Sequence, residues 1–219
     1  MKRILIFGLC FLFVVEVYSA EPIVDVNKPA VDANDILMEL EKSFSKIKTV
    51  QTDFVQTKKL KLFKHPVTIK GHILLQVPDS LLWRVYEPVQ YALMLKGKKA
   101  VEWDQETGKT KDLLFANSQV FEQILVQIKS WFSGEFSELK KNYNLRILNQ
   151  NPLTLSFAPK ETNQIKHAIK ELRVVIRTDR RYIESMTILE VNGDTTTTLF
   201  EKVLLNQDIP TIKWDVSPK

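Results

Sequence analysis

The chain has 219 residues, of which 44% are hydrophobic and 26% charged, and carries a formal net charge of +5. That length suits one domain with a substantial core. The modest, scattered positive excess comes without a nucleic-acid-binding motif, which excludes nucleic acid as a partner, and the single cysteine excludes an internal disulfide.

Lys2 and Arg3 precede an apolar run from Ile4 to Val15, and small residues follow within Val17-Tyr18-Ser19-Ala20. This layout predicts a cleavable secretory signal peptide over residues 1–19, cut after Ser19 because Val17 suits the small-residue position of the cleavage site. Cys10 lies inside the apolar run, whereas a lipid-acceptor cysteine would follow it. Processing lowers the charge from +5 to +4, since Lys2 and Arg3 leave with Glu16, and removes the only cysteine. No later segment approaches the roughly 18 uninterrupted apolar residues of a membrane span. The exported domain is therefore expected to be soluble.

Residues 20–33, with Pro22 and Pro29, read as a flexible segment. A helix begins at Asn34 or Asp35, either of which can cap it, and Leu37, Leu40, Phe44 and Ile47 give it one apolar stripe. Lys46 and Lys48 fall near its expected C-terminal end, where the dipole favours cations. From Gln51 the apolar period becomes two. Strands are predicted at 53–64, 67–76, 81–87, 91–96, 99–103 and 109–114, punctuated by Pro66, Pro78, Pro88, Gly97 and Gly108. Connections this short require antiparallel neighbours.

An amphipathic insertion follows. Phe121, Ile124, Leu125, Ile128 and Phe132 recur at helical spacing, opposite Glu122, Gln123, Gln127 and Lys129, and Gly134 ends the helix. A shorter helix is predicted at 135–141. Later strands fall at 145–149, 153–158, 168–177, 182–191 and 195–204, with a further one at 213–216. The order fits one domain over 34–219, a long antiparallel sheet with helices gathered on one face.

Candidate chemistry is sparse. His65, His72 and His167 are scattered and form no metal-spaced pair. There is no nucleophile elbow or phosphate loop, and six glycines leave little room for one. Glu102 and Asp104 alternate onto one strand face and read as solvent-facing acids near a hairpin end. No enzyme activity, metal or cofactor is expected. The run from Lys58 to Lys64 reads as a solvated strand face, or as a patch suited to an anionic membrane surface or an acidic partner.

The sequence is instead rich in doubled apolar positions, at Leu74-Leu75, Leu81 to Tyr86 and Tyr91 to Leu95. Strands of this kind are covered on both sides, by the N-terminal helix and the 121–132 helix. The pattern by itself fits an ordinary packed core beneath two helices best, with a partly filled sheet enclosing an apolar cavity as the alternative.

Several stretches bear on that choice. Residues 47–57 carry Phe54 and Gln56 just after a helix end. Residues 71–88 place Gly71, Ile73, Pro78, Trp83 and Pro88 in a G-x-L-x-x-x-x-P-x-x-x-x-W-x-x-x-x-P frame. Residues 96–104 hold Gly97 and Trp103, and the end of the chain has Thr197, Phe200, Leu205, Asn206 and Ile209. In order and spacing these resemble the LolA-like periplasmic lipoprotein carriers of the Gram-negative envelope.

The resemblance implies an α+β fold: a strongly curved antiparallel sheet forming an incomplete, half-open barrel, covered by an N-terminal helix and a central helical lid at about 116–141. It also implies a monomeric carrier of lipoprotein acyl chains, loaded by an inner-membrane ABC lipoprotein exporter and unloaded at an outer-membrane receptor. Another lipid or acylated product, or a lipid-sensing role, is the alternative. The implied lining is Phe54, Ile73, Leu75, Leu81, Trp83, Val85 and Leu93 from the sheet, with Phe121, Ile124, Leu125, Ile128 and Phe132 from the lid. Trp83 matches the family tryptophan, and Leu81 stands where carriers often place an aromatic. Val77 replaces the basic residue that latches the lid in typical carriers, so control of the lid or choice of cargo is expected to differ here.

Overall fold

A computed structural model describes residues 33–97, 99–113 and 136–217. The expected lid positions Phe121, Ile124, Leu125, Ile128 and Phe132 lie outside these, as do residues 1–32, which hold the expected signal peptide.

The first element, α1 (Ala33–Phe44), has Asp35 in its first turn and Lys42 in its last, matching the helix dipole at both ends. Its stripe of Ile36, Leu37, Leu40 and Phe44 is fully buried, and each such side chain contributes about 1.5–3 kcal/mol of burial. The helix ends earlier than Ile47 because the Ile47 amide turns back to the Phe44 carbonyl at 2.9 Å. Lys46 and Lys48 therefore lie beyond it, and Lys42 faces the dipole instead.

Six strands follow: β1 (Thr49–Lys59), β2 (Val67–Gln76), β3 (Ser80–Glu87), β4 (Tyr91–Lys96), β5 (Lys99–Asp104) and β6 (Thr110–Asp112). After α2 (Phe136–Asn142) come β7 (Tyr143–Gln150), β8 (Leu153–Pro159), β9 (Ile169–Ile176), β10 (Ile183–Glu190) and β11 (Thr195–Leu205). All eleven form one sheet in the order β6-β5-β4-β3-β2-β1-β11-β10-β9-β8-β7, with antiparallel neighbours throughout. The sheet is curved and does not close, since β6 and β7 are its two edges. Register irregularities at Gln51/Asp53, Lys70/Gly71, Ile147/Asn149 and Ile183/Ser185 supply local bending and extra twist.

The seam between the two strand blocks is the β1–β11 pair, which sets Phe54 opposite Phe200 and Gln56 opposite Thr198. It is clamped at one end. The Lys48 amide donates to Asn206 Oδ1 at 2.7 Å, and Thr49 Oγ1 donates to the Gln207 carbonyl at 2.7 Å. At the other end the β10–β11 turn places Gly193 at φ +86°, a left-handed conformation that glycine adopts without a Cβ clash.

Period two puts Val50, Thr52 and Phe54 on one face of the sheet, with Ile73, Leu75, Leu81, Trp83 and Leu93 beside them by register. On this inner face α1 and α2 meet through Phe44 and Phe136, whose rings lie 5.6 Å apart. The far wall is Leu155, Phe157, Leu172 and Val174, all fully buried.

The doubled positions divide as expected: Leu75, Leu81 and Leu93 join the inner cluster, and Leu74, Leu82 and Ala92 the outer one. The covering of the outer face differs from expectation. There Trp214 and Val216 pack on Leu74, Leu82, Ala92 and Trp103. The 213–216 stretch is accordingly no strand: Thr211–Trp214 forms a 3-10 turn, which turns the indole onto the sheet. Lys213 Nζ reaches Gln51 Oε1 at 2.8 Å and fixes this segment across β1. β1 also stops at Lys59 rather than Lys64, because the Lys61 amide donates to Asp194 Oδ1 instead of continuing the ladder.

Candidate functional site

Phe54, Ile73, Leu75, Leu81, Trp83, Val85 and Leu93 share the inner face and one apolar cluster. They come from β1 to β4. Gly71 makes their packing possible: a Cβ there would meet the Arg84 carbonyl oxygen at 2.0 Å and the Phe54 ring at 2.6 Å. The absent side chain lets Phe54 lie across β2 and reach Trp83, with ring centroids 4.5 Å apart. Six of the seven are fully buried, and Trp83 is half-buried. They form a packed wall.

The space lies beside that wall. An apolar opening of about 310 Å³, counting its mouth to solvent, runs between the end of α1 and the β1–β11–β10 part of the sheet. Phe44 and Ile47 line one side, Val50 and Thr52 the β1 edge, and Phe200, Val203 and Leu205 the β11 edge, with Tyr182 and Ile183 opposite. Most of that space is open to solvent, so the feature is a shallow apolar cleft rather than an enclosed cavity. The seven predicted sheet residues do not line it. Its own residues come from segments far apart in sequence, and only the long-range β1–β11 pairing brings them together.

A few polar atoms interrupt the greasy face. Gln56 Nε2 donates to Thr198 Oγ1 at 3.1 Å, while Gln56 Oε1 and Trp83 Nε1 are buried with no hydrogen-bond partner among the described residues. At the β5 edge, Glu102 Oε2 accepts from the Tyr91 hydroxyl at 3.4 Å, and burial together with that carboxylate pushes the Tyr91 phenol up. Asp104 is buried rather than solvent-facing: its oxygens accept from the Thr107 amide at 2.7 Å and hydroxyl at 2.8 Å, which caps the β5–β6 turn. Burial alone would raise its carboxyl, but these bonds and Lys111 hold it below the ordinary range. Its task is structural.

On the outer face Asp53 accepts from Lys202 Nζ at 2.9 Å and pairs with His72 Nδ1 at 2.8 Å. Among the described residues no cluster of three or more His, Cys, Asp or Glu side chains has the geometry to hold a metal. No helix among them is long and apolar enough to cross a membrane.

No curated protein matches the chain. Among solved structures, MucB superposes with a TM-score of 0.51 at 12% identity, covering 85% of this chain and 63% of MucB. A LolA superfamily protein from Nitrosomonas europaea aligns at 10% identity with a TM-score of 0.41, covering 85% of this chain and 98% of that one. Lipoprotein LppX of Mycobacterium tuberculosis aligns at 12% identity with a TM-score of 0.48, covering 82% and 99%. At such identities the MucB likeness speaks to the fold alone. Family membership rests on the sequence, where the family model for the outer membrane lipoprotein carrier protein LolA matches residues 45–214. That span runs from the end of α1 through the whole sheet to Trp214 on its outer face, and the chain belongs to the LolA family.

Proposed function

We propose that the chain is exported to the periplasm by cleavage of residues 1–19 and there carries the acyl chains of lipoproteins from the inner to the outer membrane. The supporting observation is the uneven cover of the inner face. Around β1–β4 it is packed solid, whereas Phe200, Val203, Leu205, Met186 and Ile188 on β11 and β10 stay partly exposed beside an apolar opening. A globular protein gains by burying such a surface. A carrier needs it accessible, because each acyl methylene taken from water contributes about 0.8 kcal/mol.

Binding of this kind needs no covalent step. Cargo enters between α1 and the β10–β11 side, along an almost wholly apolar lining. The lid residues Phe121 to Phe132 complete the shelter in this reading, an inner-membrane ABC exporter loads it, and an outer-membrane receptor empties it. Val77 favours a second cargo within the same class, another lipid or acylated product, because the basic latch of typical carriers is missing at that position.

Native mass spectrometry of the protein recovered from the periplasm tests the reading. Bound acylated species are expected, and their masses separate lipoprotein from free lipid. A protein that is empty in every preparation, and that takes up no fatty acyl probe, would overturn it.

A further inference from the structure

Beyond Lys59 the chain leaves the ladder and reverses in a turn closed by the Phe63 amide on the Leu60 carbonyl, at 3.0 Å. The Lys61 amide donates to Asp194 Oδ1 at 2.8 Å and ties this turn to the neighbouring β10–β11 turn. The tip is thus held in place, with Lys61 and Leu62 at its corner. Turn corners ordinarily carry Gly, Asn, Asp, Ser or Pro, which supply the dihedrals or bond to their own backbone. Here the corner holds a leucine that is 94% exposed, followed by a phenylalanine that is 60% exposed. Neither joins an apolar cluster among the described residues. Single exposed apolar side chains are ordinary, but an adjacent pair at an apex is a different matter.

Within the tip segment itself the charge is one-sided. Lys59, Lys61 and Lys64 are all exposed, and no acidic residue occurs between Asp53 and Asp79. The nearby acids are Asp194, which accepts from the Lys61 amide and Asn192, Glu190, which interacts with Lys58, and Glu87, paired with Lys70 at 2.9 Å. The end of β3 and the β3–β4 connection bring Tyr86 and Val89, 47% and 44% exposed, to the same end of the sheet.

We infer that the β1–β2 tip docks the protein on an anionic lipid bilayer, with Leu62 and Phe63 entering the interface and Lys59, Lys61 and Lys64 meeting the headgroups. An acidic protein surface would engage the lysines and leave the two apolar side chains without a use. A bilayer, apolar within and anionic at its border, uses both. The tip lies about 30 Å along β1 from the apolar opening, so docking leaves that opening free of the bilayer. The inference does not rest on the carrier reading, because docking is measured without cargo.

Co-flotation with vesicles separates the outcomes. The protein is expected to float with phosphatidylcholine vesicles containing phosphatidylglycerol, and far less with phosphatidylcholine alone. Leu62→Ser with Phe63→Ser should lower that partition about tenfold or more. Lys59→Gln, Lys61→Gln and Lys64→Gln together should remove its salt dependence. All five side chains are exposed, so circular-dichroism melts should stay unchanged. Failure of the unaltered protein to float with anionic vesicles overturns the inference. So does flotation that survives the Leu62 and Phe63 replacements, or that keeps its salt dependence without the three lysines.

Discussion

Phe54 and Trp83 lie with ring centroids 4.5 Å apart and planes 40° from each other, and the strand between them passes with glycine where Phe54 crosses. The contact depends on Gly71. Register pairs Phe54 with Gly71 on one side, and Gly71 with Val85 on the other, next to the irregularity at Lys70.

Gly71→Ala is therefore expected to be costly although the change is one methyl group. The added carbon meets a backbone oxygen at 2.0 Å, and backbone cannot swing aside as a long side chain would. Overpacking of this kind costs about 1–3 kcal/mol. Urea denaturation followed by tryptophan fluorescence should show a lower midpoint with an unchanged slope. The native emission should also shift, because Trp83 loses its ring partner.

In the proposed carrier reading, cargo binding and folding should be separable at the mouth of the opening but not in the wall. Leu81 is only 2% exposed, so a charge there acts on folding first. Val203 is half-buried at the β11 rim. Val203→Glu is expected to lower the affinity for a fluorescent fatty acid about tenfold or more while changing stability by less than about 1 kcal/mol. Titration with the probe, alongside a denaturant curve, checks both halves. Undiminished binding would place the entrance elsewhere.

The difference between wall and opening also marks what the sequence could convey. Alternation and turn residues made most strands readable: β2 and β4 have their expected limits, and Gly97 and Gly193 take the positive φ their turns require. Doubled pairs such as Leu74-Leu75 correctly announced two covered faces. They carried no information about what does the covering. Trp214 and Val216 sit in a segment too short for any period, and Lys213 finds Gln51 across 162 positions. The opening is hidden for the same reason, since Phe44, Tyr182 and Val203 converge only once β1 pairs with β11. Local pattern reports burial well and partners poorly.

The outer cover makes its own prediction. Trp214 and Val216 are 8% and 7% exposed against Leu74, Leu82 and Trp103. Trp214→Ala should cost about 3–5 kcal/mol and increase binding of a polarity-sensitive dye by uncovering the outer face of β2–β5. Thermal melts and dye titration check this. Because the opening lies on the inner face, the affinity of the folded variant for the fatty-acid probe should be unchanged.

Two carboxylates should move stability in opposite directions with pH. Burial tends to raise the Asp53 carboxyl, but bonds from His72 and Lys202 outweigh it and hold the group below its ordinary value of 3.8. The folded state then binds fewer protons than the unfolded one within that interval. The stabilisation is complete above the ordinary value and is lost as pH falls through the lowered one. Glu190 is the reverse case. Burial, reinforced by Asp194, raises its carboxyl above 4.5, so the folded state favours the protonated form. Its contribution is present below the ordinary value and disappears as pH rises through the raised one. Asp53→Asn should therefore lower the melting temperature at pH 7 and converge with the unaltered protein in strong acid. Glu190→Gln should raise the melting temperature at pH 7 and lose that advantage below the ordinary value, where the native glutamate is already protonated. Melts across the acid range check both signs, and two curves displaced in the same direction would refute the assignment of one of the two residues.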